Sequence, residues 1–180
     1  MLSQTISTTV RKQLIAQTGR KQVLSLPRLN KVVLNYRVPD ARESQESLNA
    51  AIEEITAISG QKPSLSKAKK SIANFKLRQG EPLGLKVTLR GKRMYDFVEK
   101  LFNIVLPRLR DFKGLSLSSF DNAGNYNLTL KDQTYFPEID LDKVNKIRSV
   151  QVTLGITASS KDESKMLLSA LGLPFEKEAK

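Results

Sequence analysis

Four segments of the chain carry apolar residues three or four positions apart, which is the spacing of one face of an α-helix. The first precedes Gly19, the third stops at Pro107 and the fourth precedes Gly172. Ser160 and Glu163 have the spacing of a capping box, which predicts that the fourth helix begins just after Ser160. The apolar positions are Ile6, Val10 and Leu14; Leu48, Ala51, Ile52, Ile55 and Ile58; Met94, Phe97, Val98, Leu101, Phe102 and Val105; and Leu167, Leu168 and Leu171.

Four other segments alternate between apolar residues and residues that are mostly polar. They run over residues 31–38, 85–90, 126–131 and 150–157. In the second of them Leu85, Val87 and Leu89 alternate with Lys86, Thr88 and Arg90. Because successive side chains of a strand point to opposite faces, the pattern predicts one hydrophobic sheet face and one open polar face.

These elements together predict an α+β fold, a two-layer sandwich in which helices cover one face of a mostly antiparallel sheet and the other, basic face stays open. The length of 180 residues favours a single domain over residues 1–180. Between the second helix and the second strand, Pro63, Gly80, Pro82 and Gly84 interrupt a stretch with little periodicity. A long, mobile, basic surface loop of about residues 62–84 is therefore predicted.

Positive charge is concentrated in one part of the chain. Residues 61–93 contain ten Lys or Arg and a single acid, Glu81, within a formal net charge of +12. The predicted polar sheet face carries cations and no acid, namely Lys31, Arg37, Lys86, Arg90 and Lys131. Such a concentration favours a polyanionic partner, although solvent exposure alone also leaves a sheet face polar. RNA is the favoured polyanion, because no helix-turn-helix is evident and broad platforms suit the shape and 2′-hydroxyls of RNA.

Several function classes are disfavoured by composition. The chain has no Cys and no His, which removes thiolate and imidazole catalysis and the usual zinc ligands. No apolar run is long enough to span a bilayer, so no membrane contact is predicted. Glu138, Asp140 and Asp142 could hold Mg²⁺ in a nuclease, but neighbouring surface acids are more often simply solvated. We therefore predict no enzyme, no cofactor and no small-molecule substrate.

The predicted loop surrounds one aromatic residue, Phe75, with cations. Lysines and an arginine beside a ring can grip a phosphate backbone and stack on a base. Phe75 could equally be a hydrophobic anchor that restrains the loop, and this second interpretation is slightly favoured.

Six runs stand out in order along the chain, namely Ile58–Pro63, Lys67–Ser71, Asn74–Gly80, Lys86–Gly91, Leu106–Phe112 and Phe136–Asp140. Together they resemble the bacterial-type large-subunit ribosomal protein five, in the universal ribosomal protein five family, which binds 5S rRNA. The resemblance extends from about Val10 to Phe175, nearly the whole chain. It implies a structural constituent of the large ribosomal subunit that binds 5S rRNA and helps attach it to the central protuberance.

The resemblance also implies particular contacts. The RNA-binding positions of the family fall on Asn35, Gln61 and Thr88, and strand alternation independently places Asn35 and Thr88 on the polar face. The family's long loop reaches peptidyl-site tRNA, which here implicates Lys69, Lys70, Phe75, Lys76, Arg78 and Gln79. Other implied partners are large-subunit rRNA, small-subunit ribosomal protein thirteen and further proteins of the central protuberance.

One stretch departs from the family. Tyr36-Arg37-Val38-Pro39 stands where members usually have a glycine-containing stretch. Without glycines the backbone allows a less close approach of RNA, whereas Arg37 adds a charge that attracts phosphate.

The expected location is the cytoplasm, bound to ribosomes. The alternative is an organellar ribosome, since no acid precedes Asp40 and a basic start can be a transit peptide. Alternative functions are a general RNA chaperone and a metal-dependent RNA-processing enzyme.

Overall fold

The structure, a computed structural model, describes residues 2–20, 22–42, 44–110, 112, 114–144 and 146–176. These residues form helices α1 (Leu2–Thr18), α2 (Gln45–Ser59), α3 (Gly91–Lys100) and α4 (Lys161–Ala170). The strands are β1 (Arg28–Arg37), β2 (Ser64–Lys67), β3 (Pro82–Leu89), β4 (Tyr126–Leu130) and β5 (Val150–Thr157). The strands form one antiparallel sheet in the order β2-β3-β1-β5-β4, which confirms the predicted α+β class.

The chain divides into two compact units. Unit 1 comprises Met1–Val32, Arg90–Leu128 and Thr153–Lys180, and unit 2 comprises Val33–Leu89 and Thr129–Val152. In unit 1, α1 packs against α3 and α4; in unit 2, α2 packs against β3. A single domain over the whole chain stays a prediction.

The helix ends follow the signals in the sequence. The Ser44 side chain accepts a hydrogen bond from the first turn of α2, and Gly60 ends that helix in a left-handed conformation with φ of 65°. At α4, the Ser160 hydroxyl accepts from the Glu163 backbone N–H at 3.3 Å. The Glu163 carboxylate accepts from the N–H of Ser159, one residue before the cap, at 3.0 Å. The predicted start of α4 is therefore confirmed.

The third predicted helix changes its geometry before Pro107. After α3 the backbone continues as a π-helical turn over Leu101–Val105 and then as a 3₁₀ turn over Leu106–Arg108. Proline lacks the N–H that an α-helix interior requires, and the 3₁₀ turn accommodates it. The apolar positions of the third predicted helix still form one buried surface, because Leu101, Phe102 and Val105 are all buried.

The two sheet faces differ as the alternation predicts. The positions assigned to the core are buried, namely Val32, Leu34, Tyr36 and Val38; Leu85, Val87 and Leu89; Tyr126, Leu128 and Leu130; and Val150, Val152, Leu154 and Ile156. The opposite positions are exposed or half-buried, with one exception, Gly155. A side chain there would meet Lys31, whose Cγ lies 2.8 Å from the Cβ that the glycine lacks. The hydrophobic and the polar face are thus both present.

Strand β2 lies inside the segment predicted to be a loop. It pairs antiparallel with β3, with Ser64 opposite Lys86 and Leu65 opposite Leu85. All four residues of β2 are exposed, and its single apolar residue, Leu65, gives too short an alternation to distinguish the strand from the segment around it. Residues 64–67 therefore form a strand where the sequence predicted a loop. The mobility of the segment stays a prediction.

Among the helices of the described residues, none combines the length and the apolar character that a bilayer-spanning helix requires.

Candidate nucleic-acid interface

Four of the predicted RNA-binding residues share one surface of unit 2. Asn35 is half-buried and Arg37 exposed on β1, while Lys86 is exposed and Thr88 half-buried on β3. The two strands are neighbours in the sheet, and Gly84 of β3 lies against the β1 backbone at residues 36 and 37. We call Asn35, Arg37, Lys86 and Thr88 the polar face of unit 2.

The cations of this face are accessible. Within the part of the chain that the structure describes, no carboxylate forms an ion pair with Arg37 or Lys86. Exposed cations of this kind can neutralise phosphates and release their counterions. The amide of Asn35 and the hydroxyl of Thr88 are short and lie on strands, so they can offer hydrogen bonds in a fixed geometry. The face thus combines charge with positioned polar groups.

Gln61 lies in a tight turn that leads toward the polar face. Its backbone N–H donates to the Ser59 hydroxyl oxygen at 3.2 Å, and that hydroxyl donates to the Gln61 carbonyl at 2.9 Å. Three residues later Ser64 pairs with Lys86, and its hydroxyl donates to the Lys86 carbonyl at 2.9 Å. Gln61 therefore belongs to unit 2, on the approach to β2.

Lys31 and Arg90 belong to unit 1, whereas the other five predicted rRNA-binding residues belong to unit 2. Both are exposed. The Arg90 guanidinium donates to the Asn30 side-chain oxygen at 3.0 Å. This bond holds Arg90 beside the start of β1.

The predicted tRNA-contact segment forms a closed hairpin. At its base, the Ala68 N–H donates to the Glu81 carbonyl at 2.8 Å and the Gly80 N–H donates to the Ala68 carbonyl at 2.9 Å. Near its tip, Ile72 and Leu77 exchange two backbone hydrogen bonds of 2.9 and 3.1 Å. The segment therefore has a defined backbone conformation, and residues 68–81 are called the basic hairpin below.

The tip of the basic hairpin presents an aromatic ring. Phe75 is 71% exposed, which favours a surface for stacking over the hydrophobic anchor that was favoured from the sequence. Lys76 has a left-handed backbone with φ of 49°, which is uncommon for a residue other than glycine. The exposed side chains of the hairpin include Lys69, Lys70, Lys76, Arg78 and Gln79. The ring thus lies in a segment rich in exposed cations, a combination that suits stacking on a base together with contacts to the phosphates.

A buried polar network lies on the hydrophobic side of β1, opposite the polar face. The Tyr36 hydroxyl donates to the Glu54 carboxylate. Arg148 donates to both Glu54 carboxylate oxygens at 3.3 Å and to the Ser47 hydroxyl at 2.7 Å. Burial, reinforced by the Glu54 carboxylate, raises the pKa of Tyr36 well above its ordinary value, so the hydroxyl stays protonated and keeps its donor role. Sequence patterning assigned Tyr36 to the core but gave no sign of these partners.

The acids considered as a magnesium site do not form a metal-binding group. Among the described residues, no three acidic side chains are arranged to hold a metal ion. The Asp140 carboxylate instead accepts a hydrogen bond from the Asp142 N–H at 3.2 Å.

These features define a basic α+β protein with an open polar sheet face and a basic hairpin, surfaces of a kind that suit RNA. Residues 22–78 match the family profile described as ribosomal protein L5. Residues 82–175 match a second profile, which describes the C-terminus of the same ribosomal family.

Curated relatives agree over most of the chain. "Large ribosomal subunit protein uL5" of Thermoanaerobacter sp. is 52% identical over 164 residues, 91% of this chain and 92% of the relative. The protein of the same name from Caldanaerobacter subterraneus is 51% identical with the same coverage. That of Lactobacillus johnsonii is 54% identical over 155 residues, 86% of each chain. The chain belongs to the ribosomal protein L5 family. This family is structural and non-enzymatic, which confirms that the chain is not an enzyme.

Proposed function

We propose that this protein is a structural component of the large ribosomal subunit that binds 5S rRNA through the polar face of unit 2 and helps attach that RNA to the central protuberance. Family membership supports a structural role in the large subunit. The observation that carries the finer proposal is the pairing of exposed cations with half-buried polar side chains on adjacent strands.

In this proposal affinity and selectivity come from different residues. Arg37 and Lys86 neutralise backbone phosphates, a contribution that carries no sequence information. Asn35, Thr88 and Gln61 offer hydrogen bonds to 2′-hydroxyls and base edges, by which a folded RNA is distinguished from other polyanions.

Lys86→Glu is expected to weaken 5S rRNA binding about tenfold. It should also lower the slope of log affinity against log salt concentration by roughly one, because one phosphate contact is lost. Dissociation constants measured over a series of KCl concentrations give both quantities.

Two variants control this experiment. Lys70→Glu makes the same charge change on the basic hairpin and should leave the slope nearly unchanged. Asn35→Ala removes an amide without changing charge, and should reduce the preference for 5S rRNA over an unrelated duplex more than it changes the slope. If Lys70→Glu lowered the slope as much as Lys86→Glu, the assignment of the polar face would be wrong.

We further propose that the basic hairpin contacts peptidyl-site tRNA. An exposed ring flanked by cations can stack on a base or sugar while the cations hold the neighbouring phosphates. The closed backbone supports this role, because a preformed hairpin loses little conformational freedom when it binds.

Replacing Lys69–Gln79 with a short Gly-Ser turn is expected to leave 5S rRNA binding nearly intact and to weaken retention of peptidyl-site tRNA on reconstituted ribosomes. The bond from Ala68 to Glu81 lies outside the replaced segment, so the base of the hairpin can persist. Phe75→Ala is the finer variant and should remove about 1–3 kcal/mol of stacking. A collapse of 5S rRNA binding in the replacement variant would refute the separation of the two sites.

The proposal includes contacts with large-subunit rRNA, small-subunit ribosomal protein thirteen and other proteins of the central protuberance, all drawn from the family resemblance.

A general RNA chaperone would instead bind 5S rRNA and unrelated RNA equally. The RNA-processing alternative is set aside, because the family is non-enzymatic. The three relatives are bacterial, which supports a ribosome-bound location in the bacterial cytoplasm, and none of the three supports the organellar alternative.

A further inference from the structure

A cleft opens within unit 2 where β1 ends. It has a volume of about 400 Å³, within the roughly 300–1,000 Å³ of pockets that hold small ligands. Its lining includes Arg37, Pro39, Asp40, Lys146, Ile147 and Arg148. Arg37 also belongs to the polar face, so the cleft continues that face beyond the last residue of the strand.

The cleft has an excess of positive charge. Its exposed cations are Arg37 and Lys146, and its one lining acid, Asp40, accepts from the Lys146 ammonium at 2.8 Å. This pair is solvent-accessible, with the lysine side chain 60% exposed, so the bond is weak enough for a phosphate to compete.

One lining residue of the cleft, Arg148, has a buried donor without an acceptor. The Arg148 side chain is only 4% exposed, and its Nη atoms bond Glu54 and Ser47. Its Nε–H has no hydrogen-bond partner among the described residues. An unsatisfied buried guanidinium N–H is uncommon in folded proteins. The charge of Arg148 itself is balanced by Glu54, so Arg37 and Lys146 supply the positive charge that a ligand would meet.

Two apolar residues lie beside these charges. Pro39 is exposed and Ile147 is 70% exposed. The buried Gln133 side chain bonds the backbone on both sides of Ile147. Its Nε2 donates to the Lys146 carbonyl at 2.6 Å, and its Oε1 accepts from the Arg148 N–H at 2.5 Å. An exposed isoleucine is therefore held in place by a buried amide, which suits a preformed contact surface.

We propose that this cleft receives one unstacked nucleotide of the bound RNA, with its phosphate between Arg37 and Lys146 and its base against Pro39 and Ile147. RNA is commonly recognised through bases turned out of the stack, and a nucleotide matches the combination of cations and apolar surface. The inference rests on the proposed function, because it makes the cleft an extension of the polar face that binds 5S rRNA.

Ile147→Asp tests the proposal against a matched control, Leu141→Asp. Leu141 is 67% exposed, lies in the same unit and is not among the lining residues, so both variants change charge and exposed apolar surface alike. Ile147→Asp is expected to weaken 5S rRNA binding about tenfold, whereas Leu141→Asp stays close to the unsubstituted protein. Equal losses in the two variants, or no loss for Ile147→Asp, would overturn the proposal.

Photo-crosslinking gives a second readout. A benzophenone amino acid at position 147 should crosslink to one or two adjacent nucleotides of 5S rRNA, and the same group at position 141 should not. Crosslinks spread along the RNA, or equal yields at the two positions, would overturn the cleft. If the unsubstituted protein showed no preference for 5S rRNA, the proposed function would fail together with the cleft. If the unsubstituted protein preferred 5S rRNA and Ile147→Asp had no effect, only the proposal for the cleft would fail.

Discussion

Arg148→Leu is expected to lower the free energy of unfolding by about 3–5 kcal/mol. The substitution leaves the carboxylate of Glu54, 11% exposed, without the guanidinium that balances it. It also removes the donor to the Ser47 hydroxyl. A buried charge that loses its partner keeps its full desolvation cost, which is why the expected loss far exceeds that of an exposed ion pair.

Urea unfolding at neutral pH measures this loss. Lys146→Met is the control, because it breaks the more exposed pair with Asp40 and should cost at most about 1 kcal/mol. Adding Glu54→Gln to Arg148→Leu should recover part of the stability, since the unpaired charge is then gone. Similar losses for Arg148→Leu and Lys146→Met would show that the Glu54 pair is not energetically buried.

Gly84→Val is expected to cost about 3 kcal/mol of stability and to weaken 5S rRNA binding. A Cβ at this position would lie 2.5 Å from the Tyr36 carbonyl oxygen and 3.3 Å from the Arg37 Cα, both backbone atoms. The only relief is a shift of β3 away from β1, and these strands carry the polar face of unit 2.

The control for this variant is Gly80→Ala in the basic hairpin. Gly80 has φ of 89° and nothing within 4 Å of an added Cβ, so its substitution costs backbone strain alone, about 1 kcal/mol. Circular dichroism melts and 5S rRNA titrations on both variants separate the two effects. Gly84→Val should be the more destabilising of the two variants, and it should also be the one that weakens RNA binding. If either expectation failed, the close approach of β1 and β3 would not be what shapes the site.

The polar face was predictable because it depends on a local property of the chain. In a strand, Asn35 and Arg37 must point away from Leu34 and Tyr36, whichever strand lies alongside. The four residues of β2 carry a much weaker signal, because Leu65 is the one apolar residue among them, and pairing with β3 makes that segment a strand.

The basic hairpin shows the same limit. A ring among lysines is compatible with a buried anchor and with an exposed stacking surface, because the local sequence is identical in both cases. The backbone bonds between Ile72 and Leu77 fix the tip, and Phe75 is left 71% exposed.

Periodicity, charge and the family runs were enough to predict the two sheet faces, the start of the last helix at Ser160, the basic character of the chain and the ribosomal family. Those features follow from side-chain direction and composition along short stretches of chain. The network of Tyr36, Glu54 and Arg148 and the cleft shared by Arg37 and Lys146 were not predictable. The network joins Arg148 to Glu54, 94 positions earlier in the chain, and the cleft joins Lys146 to Asp40, 106 positions earlier. Such contacts exist only after helix, sheet and loop have packed together.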